Sequence, residues 1–65
     1  MYTITITNMM AATVQSFEFT NYHIAEQTYR QLCDQKNLEI TEEADVLYTA
    51  GGIGHDYRIE LTVNN

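Results

Sequence analysis

Tyr22-His23-Ile24-Ala25-Glu26-Gln27-Thr28-Tyr29-Arg30-Gln31-Leu32-Cys33-Asp34-Gln35-Lys36 is the stretch where the hydrophobic period of this chain changes, and it decides the fold. Tyr22, Ala25, Tyr29, Leu32 and Cys33 fall on one helical stripe; His23, Glu26, Gln27, Arg30, Gln31 and Asp34 fall opposite. Glu26 and Arg30 stand four apart in the favourable order, a surface pair worth about 0.3–0.5 kcal/mol. Thr20 or Asn21 can cap the start, because a side-chain oxygen there accepts from amides that have no partner inside the helix. Asn37 tolerates the left-handed conformation that ends a helix.

On both sides of this helix the period is two. Tyr2, Ile4 and Ile6 alternate with Thr3, Thr5 and Thr7, which marks a half-buried strand. Residues 8–12 turn the chain, and a second strand runs over about 13–20 with Phe17 and Phe19 inward and Ser16 and Glu18 outward. After the helix, Leu38-Glu39-Ile40 begins a third strand, which Val46-Leu47-Tyr48 continues or resumes. Glu42-Glu43-Ala44-Asp45 is poor strand material and predicts a bulge or short loop. Gly51-Gly52-Ile53-Gly54 is a turn. In the last strand His55, Tyr57, Ile59, Leu61 and Val63 alternate with Asp56, Arg58, Glu60 and Thr62.

The order ββαββ predicts an α+β two-layer sandwich, with a four-stranded sheet and the helix packed on one face. A β-grasp-like sheet with the first and last strands central, and a fully antiparallel sheet, are both open. The other sheet face would show Thr3, Thr5, Thr7, Ser16, Glu18, Asp56, Arg58, Glu60 and Thr62 to water or a partner. Sixty-five residues read as a single compact domain, 1–65, with one thin core; a deep substrate pocket would consume much of it. The lone Cys33 excludes an intramolecular disulfide and fits a reducing compartment. No apolar run approaches the roughly 20 residues that cross a bilayer, and the start has no signal-peptide pattern, so the expected location is the cytoplasm.

The motifs argue against catalysis. The glycine-rich turn runs into a strand, whereas phosphate loops run into a helix, and no lysine follows it. His23, Cys33 and His55 lack the short paired spacing of zinc ligands. Cys33 lies on the apolar stripe, where a thiol packs and stays inert. Glu42, Glu43 and Asp45 lack the alternation and central glycine of a calcium loop. The expectation is no enzyme, no cofactor and no metal. Tyr48 and Tyr57 flank the last turn; facing each other across the hairpin they are core, and at a rim either would be a contact anchor.

Charge is the remaining signal. Residues 1–38 carry three acids against two bases, and residues 39–65 carry six against one, so the halves contribute −1 and −5 to the net −6. Such a field attracts basic partners and repels nucleic acid and anionic membranes. A domain of this size should be roughly 25–28 Å across, and about 25 Å of duplex DNA carries about 15 phosphates. Glu39, Glu42, Glu43, Asp45, Asp56 and Glu60 are the candidate partner-binding residues, and Glu18 joins them if the sheet order places it nearby.

This profile of a short acidic chain with no cofactor motif and one helix on a small sheet resembles the small acidic inhibitors of phages and mobile elements, including anti-CRISPR proteins that act as DNA mimics. The resemblance implies steric and electrostatic blockade of a basic nucleic-acid-binding protein, such as the DNA-recognition surface of a CRISPR effector complex; a monomer rather than a homodimer is expected, in the host cytoplasm if the chain is phage-encoded. The competing expectation is a non-inhibitory interaction module using a Tyr-bearing patch or a sheet edge at residues 3–7, which would pair with a peptide or a second copy.

Overall fold

The computed structural model describes residues 1–42, 46–52 and 54–64. Its elements are β1 (Tyr2–Asn8), β2 (Thr13–Phe19), α1 (Tyr22–Gln35), β3 (Ile40–Thr41), β4 (Tyr48–Gly51) and β5 (Tyr57–Val63). The protein is therefore α+β with one helix and a five-stranded sheet, every strand pair antiparallel, in the order β2-β1-β5-β4-β3. Four strands were expected. The segment after the helix, read as a strand that continues or resumes, makes two strands that fold back on each other, Ile40 opposite Ala50 and Thr41 opposite Thr49. Glu43, Ala44 and Asp45, where the bulge or loop was expected, lie outside the described residues. The first and last strands are neighbours inside the sheet, as the β-grasp-like expectation had them, and every pair is antiparallel, as the other expectation had it.

The helix start and stop follow local chemistry. The Asn21 side chain accepts from the amides of His23 (2.8 Å) and Ile24 (3.3 Å), so Asn21 rather than Thr20 is the cap. At the other end Asn37 has φ 55°, its N–H donates to the Asp34 carbonyl, and Leu38 N–H donates to Cys33. These two bonds form a Schellman motif with asparagine in the position usually given to glycine. Asn37→Val puts a β-branched side chain into left-handed backbone, at a cost of about 1–2 kcal/mol. Thermal unfolding followed by circular dichroism should show a melting temperature lower by roughly 5–10 °C.

The apolar sides of all strands face α1. Ile4, Ala25, Tyr29, Cys33, Ala50, Ile59 and Leu61 are fully buried, and Tyr2, Ile6, Phe19, Leu32, Leu38, Ile40, Leu47 and Tyr48 pack around them. Small residues at Ala25, Cys33 and Ala50 let the helix sit close over the middle of the sheet. A helix is about 10–12 Å across with its side chains, while five strands at about 4.8 Å spacing span about 19 Å between the outer strand axes. One helix therefore cannot cover both sheet edges. Phe17, expected inward, does point to the helix side, where it lines a groove with Leu32 and Gln35, yet it is 47% exposed because β2 is an edge strand that α1 covers only in part.

The last turn takes more residues than the alternation suggested. His55 and Asp56 belong to it, with His55 N–H donating to the Gly52 carbonyl and Gly52 N–H to Tyr57. Gly51 has φ 81°, and a Cβ there would collide with the Tyr57 carbonyl oxygen and touch Leu38. Gly52 also has positive φ, but a Cβ there meets nothing within 4 Å. Gly51→Ala should cost about 2–4 kcal/mol, from backbone strain plus collision. Gly52→Ala should carry the strain alone, so urea midpoints should place Gly51→Ala below Gly52→Ala.

Candidate functional site

The water-facing side of the sheet is built from the residues that alternate with the core. Cross-strand register sets them in rows. The middle row reads Ser16, Thr5, Glu60, Thr49, Thr41 from β2 to β3. A second row holds Glu18, Thr3 and Thr62, and a third Val14, Thr7, Arg58 and Gly51. The face is thus mostly hydroxyl, with Glu60 near its middle and Glu18 on an edge. By strand spacing these two carboxylates are about 12 Å apart on the same face. Glu60 is half-buried, and its carboxylate stands 3.6 Å from the Arg58 guanidinium.

The other expected site residues sit around the rim. Glu39 and Glu42 bracket the short edge strand β3 and are exposed. Asp56 is exposed in the β4–β5 turn, not on a strand face, and its backbone carbonyl accepts from Met9 N–H at 2.8 Å. Leu38, the neighbour of Glu39, and Asp56 line one shallow depression with Lys36 and His55, so Glu39 and Asp56 belong to the same end of the sheet. Glu43 and Asp45 lie outside the described residues. Glu39, Glu42 and Asp56 therefore stand along one edge and at the adjoining end of the sheet. Glu18, in the half of the chain with little net charge, joins the open face through the β1–β2 hairpin.

The cations are held locally. Arg30 lies 3.8 Å from Glu26 and stacks over Tyr48, and the Lys36 ammonium sits 3.8 Å from the centre of the Tyr57 ring. Arg58 is taken by Glu60. Among the described residues, no ion pair reaches Glu18, Asp34, Glu39, Glu42 or Asp56.

Two clusters on the helix side have the residue types of chemistry and the environment of structure. Tyr22 donates to the Glu26 carboxylate at 2.7 Å and Tyr48 donates to the same oxygen at 3.2 Å; the two hydroxyls are 3.2 Å apart. The hydrogen bond from Tyr22 is the main cause that holds the Glu26 carboxyl below its usual range. The contacts with Tyr48 and then Glu26 push the Tyr22 hydroxyl well up. Tyr29, stacked on Tyr48, donates to the Ile59 carbonyl at 2.8 Å, and burial pushes its hydroxyl up as well. Cys33 forms the floor of a groove of about 490 Å³ between α1 and β3, lined also by Gln27, Arg30, Gln31, Asp34, Leu38 and Ile40. Burial pushes its thiol up, the wrong direction for a nucleophile.

Tyr48 and Tyr57 do not meet across the hairpin. Tyr48 pairs with Leu61, while Tyr57 lies opposite Asn8 and under Lys36; both are half-buried on the helix side. His23 lies in the first turn of the helix and His55 sits beside Lys36 near its end, with Cys33 buried between. Among the described residues no group of three His, Cys, Asp or Glu side chains is arranged to hold a metal ion, and no helix is long and apolar enough to cross a membrane.

Comparison of the chain with protein-family models, with curated proteins and with solved structures gave no match.

Proposed function

We propose that this protein is an acidic inhibitor that occupies the basic nucleic-acid-binding groove of another protein, and that it acts without catalysis in the cytoplasm. The observation that carries the reading is the disposal of charge. Arg30, Lys36 and Arg58 are each engaged by a carboxylate or a ring of the same molecule. The net −6 is thereby expressed through exposed groups, led by Glu39, Glu42 and Asp56 at the β3 edge and the adjoining end, with Glu43 and Asp45 following Glu42 in sequence. Glu18 and the partly neutralised Glu60 extend the field across the open face.

Size supports the same reading. The body measures 30 × 22 × 20 Å, and about 30 Å of duplex carries about 18 phosphates, of which a binding protein contacts about 6–10. Carboxylates on a body of this length can meet several of the lysines and arginines that await phosphate. A CRISPR effector complex is the partner class that the resemblance suggests, and its DNA-recognition channel has this chemistry.

The test is displacement. A purified CRISPR effector loaded with its guide is mixed with labelled target duplex, and DNA binding is followed by gel mobility shift as the protein is added. Loss of the shifted band at about 50 mM salt is the expected result, and binding of the protein to the effector measured without DNA should weaken as salt rises to about 500 mM, because screening shortens to a few ångströms. DNA binding that stays intact across several effector types at low salt would remove this proposal.

A further inference from the structure

The two edges of the sheet are finished in opposite ways. β3 has two residues and is bracketed by Glu39 and Glu42, so it is short and charged, as protected edges are. β2 has seven residues and pairs with β1 along its whole length, Tyr2–Phe19 through Asn8–Thr13, with no bulge in that register. Among the described residues no strand lies against its outer side. Alternate residues along it therefore hold their N–H and C=O groups outward without a ladder partner. β2 has no proline and no lysine, and Glu18 is its one charged residue.

Apolar side chains collect around the same edge. Val14 is 64% exposed on one side of β2 and Phe17 is 47% exposed on the other. Met9 and Met10 stand out from the β1–β2 turn. Phe17 lines a groove with Leu32 and Gln35 of α1, and exposed Ile24 lies on the same helical flank, eight residues before Leu32. These five account for most of the large exposed apolar side chains among the described residues.

We propose that β2 joins two copies of this chain, edge to edge and antiparallel about a two-fold axis at Ser16–Phe17, so that two five-stranded sheets become one. A second copy fits because the strand complements itself. With Phe17 opposite its own mate, Gln15 meets Phe19 and Glu18 meets Ser16. With Ser16 at the centre, Gln15 meets Phe17 and Glu18 meets Val14. Either register leaves the two Glu18 side chains out of direct opposition, which is the unfavourable pairing for like charges. Both helices fall on one side of the joined sheet. The acidic β3 edge is four strands away, about 19 Å, so the charge that repels a second copy is kept from the contact and remains free at both ends.

The contact is modest. Seven residues of strand run about 24 Å, and the smallest extent of the molecule is 20 Å; a strip of those dimensions covers about 480 Å² on each copy, or about 1,000 Å² in all, at the low end for specific interfaces. A dimer with micromolar dissociation is the expectation, reached without any other partner.

Sedimentation equilibrium of the full chain, from about 5 to 500 μM, should show mass rising toward twice 7.5 kDa. Phe17→Glu sets two carboxylates directly opposite in the Phe17-centred register and on the diagonal, about 7–8 Å apart, in the Ser16-centred one; it removes the central aromatic in both and should weaken association by about 30-fold or more, with circular dichroism reporting whether the fold is kept. A second measurement does not depend on that variant. Ser16→Cys puts a thiol on the exposed edge, about 5–8 Å from its mate between Cα atoms, and a short bismaleimide should link two copies. Thr41→Cys on β3 should not be linked, nor should the unaltered chain, whose Cys33 is buried. A monomer throughout the concentration range overturns the proposal. So does a dimer that links as readily through position 41, or one that a folded Phe17→Glu chain forms unchanged.

Discussion

Tyr29→Ala is expected to leave this protein without a cooperative unfolding transition. Tyr29 is fully buried, stacks on Tyr48 with ring centres 5.9 Å apart, and donates its hydroxyl to the Ile59 carbonyl. It ties the middle of α1 to β4 and β5 at once. Removing a large buried aromatic side chain costs about 3–5 kcal/mol. A 65-residue domain has only about 3–10 kcal/mol in total, so the loss takes most or all of it. Tyr29→Phe separates the ring from the hydroxyl. It keeps the stacking, gives up one buried hydrogen bond, and should cost about 1 kcal/mol, lowering the melting temperature by roughly 4–8 °C. Urea unfolding followed by tyrosine fluorescence and circular dichroism distinguishes the outcomes. A steep transition in Tyr29→Ala near that of the parent chain would show that the core has been assigned to the wrong residues.

The combined reversal Glu39→Lys, Glu42→Lys and Asp56→Lys is expected to abolish displacement of DNA from the effector. Each side chain is exposed, and among the described residues none belongs to an ion pair, so the fold should hold. Three reversals change the charge by six and bring the net from −6 to zero. Like charges then meet in the basic groove, and affinity should drop by about 100-fold or more, a size typical when several close charge pairs are lost. The salt dependence of whatever binding remains should flatten as well. A variant with unchanged circular dichroism that still displaces DNA at the parent concentration would falsify the electrostatic mechanism. The edge-to-edge dimer is unaffected by this result, since β2 takes no part in the substitution.

Much of this architecture was legible along the chain because it is local. A period of two in Tyr2–Thr7 and 57–63, and of 3.6 in 22–35, records which way successive side chains point, and that direction is fixed by the backbone of each element alone. Asn21 and Asn37 were readable for the same reason, since caps act over two to five residues. The strand count failed where the pattern was weakest. Ile40–Thr41 is too short to show a period, and its reversal into Tyr48–Gly51 leaves no trace in alternation.

The candidate site was legible as composition, not as arrangement. Glu39, Glu42 and Asp56 were picked from charge alone and are indeed exposed, but their grouping at one edge and one end comes from β3 and the last turn meeting there. Glu60 has the same alternation as its neighbours, yet Arg58 and the flanking strands half-bury it. Nothing in the one-dimensional pattern separates a carboxylate on a central strand from one at a rim.

What the sequence by itself determined is the helix and the three long strands, the face each of them buries, and the sign and imbalance of the charge. Tertiary structure alone decided which strands are neighbours and therefore which are edges. Residues 3–7, which the interaction-module reading placed at an edge, are enclosed between β2 and β5, while β2 is left open. The physical reason is that pairing joins residues up to 61 positions apart, as Tyr2 with Val63, and neither partner's local pattern names the other. The exposure of Phe17 has the same origin, because a helix about 10–12 Å wide shelters the strands beneath it, and only the order of the sheet says which those are.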